Sequence, residues 1–148
     1  MKAEEVLVRL KAFLDSRNMP FIVVGSLALK VHGMPLRREP EDIDIEVMCT
    51  PEKEVIFRAL ADAAGNDFYK MKEMYPQDEG IEHKPYIFPF EGVVVNVWVV
   101  REFTHSTFVY KDYIRYAGVY SILRKKMRYK RLKDYKDLTY LISKLSTL

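Results

Sequence analysis

Apolar and polar residues follow one another along the first third of the chain in patterns that predict helices and strands. A helical repeat of apolar residues covers about residues 3–16, and the continuous apolar run 21–25 is typical of a buried strand. A short helix is then predicted from Ser26, which can cap its first turn, to Gly33. After an extended loop, residues 42–48 alternate carboxylates with Ile and Val, which indicates a half-buried strand.

The rest of the chain is predicted to complete the sheet and to end in helices. Residues 50–65 open with a Thr-Pro pair and close on a glycine, as helices commonly do. Short strands are predicted within residues 67–76 and 83–90, and the clearest strand of the chain is 92–101. From about residue 111 to the end the pattern is helical. The last helix is predicted to bury an apolar stripe made of Leu138, Leu141, Ile142 and Leu145.

This order of elements predicts an α/β (α+β) fold in which a small mixed β-sheet is flanked by helices. We expect one domain over residues 1–148, with the sheet and its helices in 1–110 and a C-terminal helical segment in 111–148. No apolar run approaches the roughly 20 residues that cross a bilayer, and the N-terminal segment does not resemble a signal peptide. With a single cysteine, the chain is predicted to be cytoplasmic and to have no membrane segment.

Charge is distributed unevenly along the chain, although the net charge is only +3. Residues 121–148 contain nine basic and two acidic residues, whereas the strand at 42–48 presents three carboxylates on one face. An acidic strand and a basic C-terminal segment in one small domain suggest an anionic ligand bridged by a metal ion.

Two local features have the chemistry of a phosphate and metal site. Gly25 and Ser26 lie where a strand turns into a helix, so that the backbone can approach a ligand and the Ser26 hydroxyl can donate to a phosphate. Asp42 and Asp44 are two residues apart on a strand, with side-chain stems roughly 6.6 Å apart on the same face. Such carboxylates can share Mg²⁺ with phosphate oxygens, and Glu46 continues the same face.

Three segments, taken in order, resemble the nucleotidyltransferase superfamily of the DNA polymerase β type. The segment "VGSLALKVHG" resembles the pattern G-[GS]-x-A-x-x-x-x-H-G, with matches at Gly25, Ser26, Ala28, His32 and Gly33. The segment "REPEDIDI" resembles R-x-T-x-D-[IL]-D, with matches at Arg38, Asp42 and Asp44 and with Pro40 where Thr is usual. The segment "KMRYKRLKDYKDL" is similar to a C-terminal pattern of stand-alone members related to abortive-infection and toxin–antitoxin systems, with matches at Lys126, Arg131, Lys133, Asp134 and Asp137.

The resemblance implies a Mg²⁺-dependent transfer of a nucleoside monophosphate from a nucleoside triphosphate to an acceptor hydroxyl. It assigns the metal to Asp42 and Asp44 and the phosphate grip to Gly25 and Ser26. The basic residues expected at the triphosphate or at an RNA acceptor are Arg38, Lys126, Arg131 and Lys133. The acceptor is expected to be RNA, a protein or a small molecule, and a partner chain or homodimer is expected to complete the cleft.

A second departure from the family pattern, besides Pro40, concerns the carboxylates. Active members place a third carboxylate on a later strand, and the matching position here is Asn96. Either the carboxylate has been lost, or Glu46 replaces it, or Glu91 or Glu102 supplies it from a strand end. Alternatively, Asn96 only satisfies a hydrogen bond within the sheet. The first case predicts a catalytically impaired nucleotide-binding or antitoxin-like partner protein with the same fold, and a further hypothesis is RNA binding through the C-terminal helix alone.

Overall fold

The computed structural model describes residues 2–65, 85–105, 107–129 and 132–146. The helices of these segments are α1 (Lys2–Asp15), α2 (Gly25–Val31), α3 (Pro51–Ala63), α4 (Val119–Tyr129) and α5 (Leu132–Leu145). The strands are β1 (Phe21–Val24), β2 (Ile43–Met48), β3 (Tyr86–Phe90), β4 (Val93–Val100), β5 (Phe108–Lys111) and β6 (Ile114–Ala117). The predicted α/β class, a mixed sheet flanked by helices, is confirmed.

The described strands form one six-stranded sheet in the order β3-β4-β2-β1-β6-β5. β1 runs antiparallel to β2 and parallel to β6, and β2 runs parallel to β4. The two outer strands, β3 and β5, pair antiparallel with β4 and β6. The register of these pairings places Asp44 between Val24 of β1 and Asn96 of β4. The predicted carboxylate strand is therefore an inner strand of the sheet.

One face of the sheet packs against α1 and α3, and we call it the α1/α3 face. Phe57 of α3 stacks on Tyr86 and Phe88 of β3, and those two residues pair with Val97 and Val95 of β4. Directly paired residues share a face, so the alternate residues of β2 and β4 belong to the same apolar layer. This layer includes Ile43, Ile45, Val47, Val95, Val97 and Val99, all of them buried. This layer forms a large part of the hydrophobic core, and its burial stabilises the fold.

The intervening residues of β2 and β4 form the opposite face, which we call the cleft face. Asp44, Glu46, Asn96 and Trp98 alternate with the apolar residues of the α1/α3 face, because successive side chains of a strand point to opposite sides. Helices α4 and α5 pack against each other beside this face. The single strand β2 thus contributes both to the core and to a polar surface.

Most of the predicted elements of the first hundred residues are confirmed, with one change of detail. Thr50 caps α3 by accepting a hydrogen bond from the backbone nitrogen of Lys53. The predicted cap at Ser26 is wrong, since the helix begins at Gly25, its cap residue is Val24, and no side chain caps it. The predicted strand within 67–76 lies outside the described residues, whereas β3 and β4 confirm the strands predicted within 83–90 and 92–101.

The prediction of continuous helix from residue 111 onward is wrong for its first part. Residues 108–117 form a β-hairpin, β5 and β6, and the helices begin only at Val119. The predicted apolar stripe of the last helix is buried only in part, since Leu141 is buried while Ile142 and Leu145 are exposed. None of the helices in the described segments is both long enough and apolar enough to span a membrane.

Candidate functional site

A cleft of about 460 Å³ lies between the cleft face of the sheet and helices α4 and α5. Its volume is within the range of small-molecule sites in proteins. The Gly25–Ser26 turn and the loop before β2 border it on one side, and Leu123, Leu138 and Leu141 of the two helices form part of its apolar lining. Each of the three sequence segments therefore contributes residues to the lining of one concave site.

Asp44 lies on the sheet side of this cleft, on the inner strand β2. The amide nitrogen Nδ2 of Asn96 donates a hydrogen bond of 2.6 Å to its Oδ1, and the direct pairing of the two residues in the register allows this contact. Gly25 lies against the other carboxylate oxygen, because a Cβ at position 25 would be 2.4 Å from Oδ2 of Asp44. Gly25 also has a φ of +69°, a conformation that favours glycine. The predicted position of Asn96 beside the aspartate is thus observed.

Asp42 lies one residue before β2 and is exposed at the border of the cleft. No group of three or more His, Cys, Asp or Glu residues with metal-binding geometry occurs in the described segments. Two carboxylates are nevertheless a suitable protein contribution to Mg²⁺, which completes its octahedron with phosphate oxygens and water. Asp42 and Asp44 fit a metal that is held jointly with a phosphorylated ligand.

Glu46, the third carboxylate of the strand, has a different environment. It is 2% exposed, its Oε1 accepts a hydrogen bond of 2.8 Å from the backbone nitrogen of Thr104, and its Oε2 accepts one from the Thr104 hydroxyl. Nε2 of His105 lies 3.8 Å from the same Oε2. Both carboxylate oxygens thus have protein partners, which connect β2 to the segment that follows β4.

His105 links this buried carboxylate to α4. The Ser121 hydroxyl donates to the carbonyl oxygen of Gly118 at 3.0 Å, so it accepts from Nδ1 of His105 at 2.8 Å. Burial lowers the pKa of His105 to about 4, with a smaller contribution from the positive charge of Lys125. The imidazole is therefore neutral at pH 7 and serves as a fixed polar connection between the sheet and the helix.

The helical side of the cleft holds a cluster of charges centred on Asp137. Its Oδ1 accepts a hydrogen bond of 3.1 Å from Nε of Arg37, and its Oδ2 lies 3.6 Å from Nζ of Lys126. The neighbouring Lys125 differs, since its Nζ is buried and has no hydrogen-bond partner in the described part of the chain. Lys125 and Lys126 both line the cleft.

Most of the residues predicted for the site line this cleft. They are Gly25, Ser26, Arg38, Asp42, Asp44, Glu46, Asn96 and Lys126. Arg131 lies outside the described residues, as does the side chain of Lys133. His32, matched by the resemblance, ends α2, and its Nε2 donates to the carbonyl oxygen of Ala117 at 2.8 Å. The chemical roles assigned to the cleft residues remain predictions.

The other two candidates for the third carboxylate are placed away from Asp44. Glu91 forms an ion pair of 3.0 Å with Arg9 of α1, so it belongs to the opposite side of the sheet. Glu102 follows the far end of β4, whereas Asn96 lies near the middle of that strand. Neither glutamate is part of the cleft lining in the described residues.

Sequence reasoning did not find Thr104, His105, Ser121 or Lys125 as members of the site. The hydrogen bonds of Thr104 join residues 58 positions apart in the chain, so no local spacing could indicate them. Lys125 stands beside the predicted Lys126, and only the orientation of α4 distinguishes the two. The basic run of the C-terminal segment was the available signal for Lys125.

Comparisons with known proteins add one similarity. The chain matches no protein-family model and no curated protein. It is similar to the solved structure of an antigenic nucleotidyltransferase-like protein from Paracoccidioides brasiliensis, with a TM-score of 0.48 and 21% sequence identity over 94% of this chain and 73% of that chain.

Proposed function

We propose that the cleft binds a nucleoside triphosphate together with Mg²⁺ and that the protein transfers the nucleoside monophosphate to an acceptor. The observation that supports this proposal is the arrangement of the cleft. Asp42 and Asp44 border its sheet side, and Lys125 and Lys126 line its helical side. A metal-bound triphosphate has a cation that the two aspartates can bind. It also has anionic phosphate oxygens that the two lysines can bind.

The charge balance of the cleft supports a requirement for the metal. Among its described lining residues, six are acidic and four are basic. A bare polyphosphate would therefore enter a site with an excess of negative charge and be repelled. A divalent cation at Asp42 and Asp44 neutralises this excess of negative charge, so we expect nucleotide and metal to bind together.

The transfer itself forms a bond between the acceptor oxygen and the α-phosphorus, and it breaks the bond from that phosphorus to the oxygen bridging to the β-phosphate. Pyrophosphate leaves, and the acceptor's proton passes to water. When bound, Mg²⁺ would neutralise charge on the phosphate oxygens, and the residues of the cleft would align the two reactants. Asn96 is an amide and cannot accept the proton, so a slow reaction is expected.

A second candidate is favoured by the contact between Asn96 and Asp44. At that position, the amide donates to the carboxylate at 2.6 Å, while both oxygens of Glu46 have protein donors. Without a carboxylate at position 96, the cleft would hold a nucleotide without activating an acceptor. The protein would then be a nucleotide-binding or antitoxin-like partner with the nucleotidyltransferase fold.

Thermal unfolding with each of the four nucleoside triphosphates, with and without Mg²⁺, tests binding first. Ligand binding to the folded protein raises its free energy of unfolding by mass action, by about 2.7 kcal/mol when the free ligand is at a hundred times its Kd. We expect a rise in Tm that requires both the nucleotide and Mg²⁺ and that disappears in Asp42→Asn/Asp44→Asn. Glu91→Gln is the matched control, because Glu91 is outside the cleft and its exposed ion pair contributes little to stability. No metal-dependent rise with any nucleotide would refute the proposal.

Release of pyrophosphate in the presence of candidate acceptors then separates the two candidates. If the wild type releases pyrophosphate and the variant Asp42→Asn/Asp44→Asn does not, the result supports transfer. Binding without release supports the second candidate, above all if Asn96→Asp gains release. Asn96→Asp places two carboxylates side by side, so its Tm should depend on Mg²⁺ more strongly than that of the wild type.

A further inference from the structure

Two adjacent lysines of α4 line the cleft in different electrostatic environments. Nζ of Lys126 lies 3.6 Å from Oδ2 of Asp137, a carboxylate that also accepts from Arg37. Nζ of Lys125 is buried and has no hydrogen-bond partner among the described residues. One lysine is thus part of an ion-pair cluster, while the other, which lines the same cleft, has a buried ammonium nitrogen without such a partner.

An isolated ammonium group is costly to bury, because it loses water without gaining a partner. His105 and Glu46 line the same cleft, and neither forms a hydrogen bond with Nζ of Lys125. His105 is neutral at pH 7, since burial and Lys125 itself lower its pKa to about 4. The carboxylate of Glu46 accepts both donors of Thr104. Such a cation is suited to an anion that arrives from outside.

We propose that Lys125 binds a phosphate group of the ligand directly, and that Lys126 acts as a positioning residue that holds α5 against α4 through Asp137. The identification of the anion as part of a triphosphate rests on the proposed function above. The resemblance by sequence had pointed to Lys126 for this contact. The environments of the two ammonium groups favour the reverse assignment, because Lys126 already has an anionic partner in Asp137.

The proposal predicts opposite effects of two matched substitutions, Lys125→Met and Lys126→Met. Methionine keeps much of the length of the lysine stem and removes the charge. Lys125→Met should raise the Tm of the ligand-free protein, because it removes an unpartnered buried charge. It should also weaken the binding of Mg²⁺–tripolyphosphate and Mg²⁺–ATP by at least tenfold. Lys126→Met should lower the Tm, because it takes one partner from Asp137, and should weaken binding by less than threefold.

Isothermal titration of the wild type and three variants with Mg²⁺–tripolyphosphate and Mg²⁺–ATP measures these effects, with Lys125→Arg as the variant that keeps the charge. Lys125→Arg should retain binding to within about threefold, since the guanidinium group also binds phosphate. The proposal would be overturned if Lys125→Met bound both probes as tightly as the wild type, or if its Tm fell without a loss of binding. Either result would leave the proposed nucleotide binding by the cleft intact. Binding of tripolyphosphate through Lys125, without binding of any nucleotide, would support this assignment and refute the proposed function. No binding of either probe by the wild type would overturn both.

Discussion

The two faces of β2 and β4 are made from alternate residues of the same strands, yet their environments differ. On the α1/α3 face, Ile45 and Val97 are fully buried among apolar side chains. On the cleft face, Asp44 contacts Asn96, and Glu46 contacts Thr104 and His105. The first face gains stability from the removal of apolar surface from water, whereas the second face orders polar groups around a cavity.

The comparison shows how a short strand can separate stability from function. A change on the α1/α3 face should alter the free energy of unfolding and leave the shape of the cleft largely intact. A change on the cleft face should alter binding at a smaller cost in stability. The strand pairing keeps the two sets of side chains in register, so that Asp44 and Asn96 meet without any contribution from a loop.

The largest expected effect is on the α1/α3 face. Ile45→Ala removes a fully buried side chain from the middle of β2 and should cost about 2–5 kcal/mol of the free energy of unfolding. Val94→Ala is the matched substitution on the cleft face, where Val94 is 40% exposed, and should change stability by less than about 0.5 kcal/mol. Urea unfolding measures both values. Equal losses in the two variants would contradict the division between the faces.

A pH-dependent effect is expected on the cleft face, from His105. Its pKa is about 4 in the folded protein and near 6.5 when unfolded. Between these values the unfolded chain binds a proton that the folded protein excludes, so stability falls as the pH is lowered. The contribution of His105 to the free energy of unfolding should decrease by about 2 kcal/mol between pH 7.5 and pH 5.

The substitution His105→Asn isolates this effect, because an amide can still contact the Ser121 hydroxyl and does not titrate. Urea unfolding of both proteins at several pH values gives the difference in slope. We expect the variant to lose less stability than the wild type over the same pH interval. The carboxylates titrate in both proteins, so their contribution cancels in the difference. Parallel pH profiles would mean that His105 is not shielded from protonation by the fold.

The sequence predicted the parts of this structure that depend on local pattern. The alternation at 42–48 gave the strand and the side on which its carboxylates lie, and Thr50 with Pro51 gave the start of α3. The hairpin of β5 and β6 was missed because its two-residue turn has φ values of +52° and +64° at Asp112 and Tyr113. Such turns normally contain glycine or asparagine, so a tyrosine there does not indicate a turn.

The polar contacts of the cleft face could be predicted only where two strands pair directly. Asn96 was expected beside the aspartates because the family resemblance matches it to a carboxylate on a later strand that lies beside the first two. The roles of His105 and Lys125 depend on how α4 approaches the sheet, and that approach is decided by packing over the whole domain. The burial of a single ammonium nitrogen cannot be inferred from the order of residues in a basic helix.

The smallest effect on stability is expected at Gly25, which lies against the Asp44 carboxylate on the cleft face. Gly25→Ala and Gly33→Ala both place a side chain at a positive φ, +69° and +79°. A Cβ at position 33 meets nothing within 4 Å, whereas a Cβ at position 25 falls 2.4 Å from Oδ2 of Asp44. We therefore expect Gly25→Ala to be less stable than Gly33→Ala by about 1 kcal/mol. The backbone cost is common to both variants, so this difference is the cost of the contact between the new methyl group and Asp44.

The same pair of variants sharpens the assignment of the metal to Asp44. In Gly25→Ala the carboxylate has to rotate away from the new methyl group, and the geometry shared with Asp42 is lost. Mn²⁺ binding can be measured in the presence of a nucleoside triphosphate from the decrease of the signal of free Mn²⁺. We expect the affinity for Mn²⁺ to be at least tenfold weaker in Gly25→Ala and unchanged in Gly33→Ala. Equal Mn²⁺ affinity in the two variants would mean that the position of the Asp44 carboxylate does not determine metal binding, and the metal would then have to be sought elsewhere in the cleft.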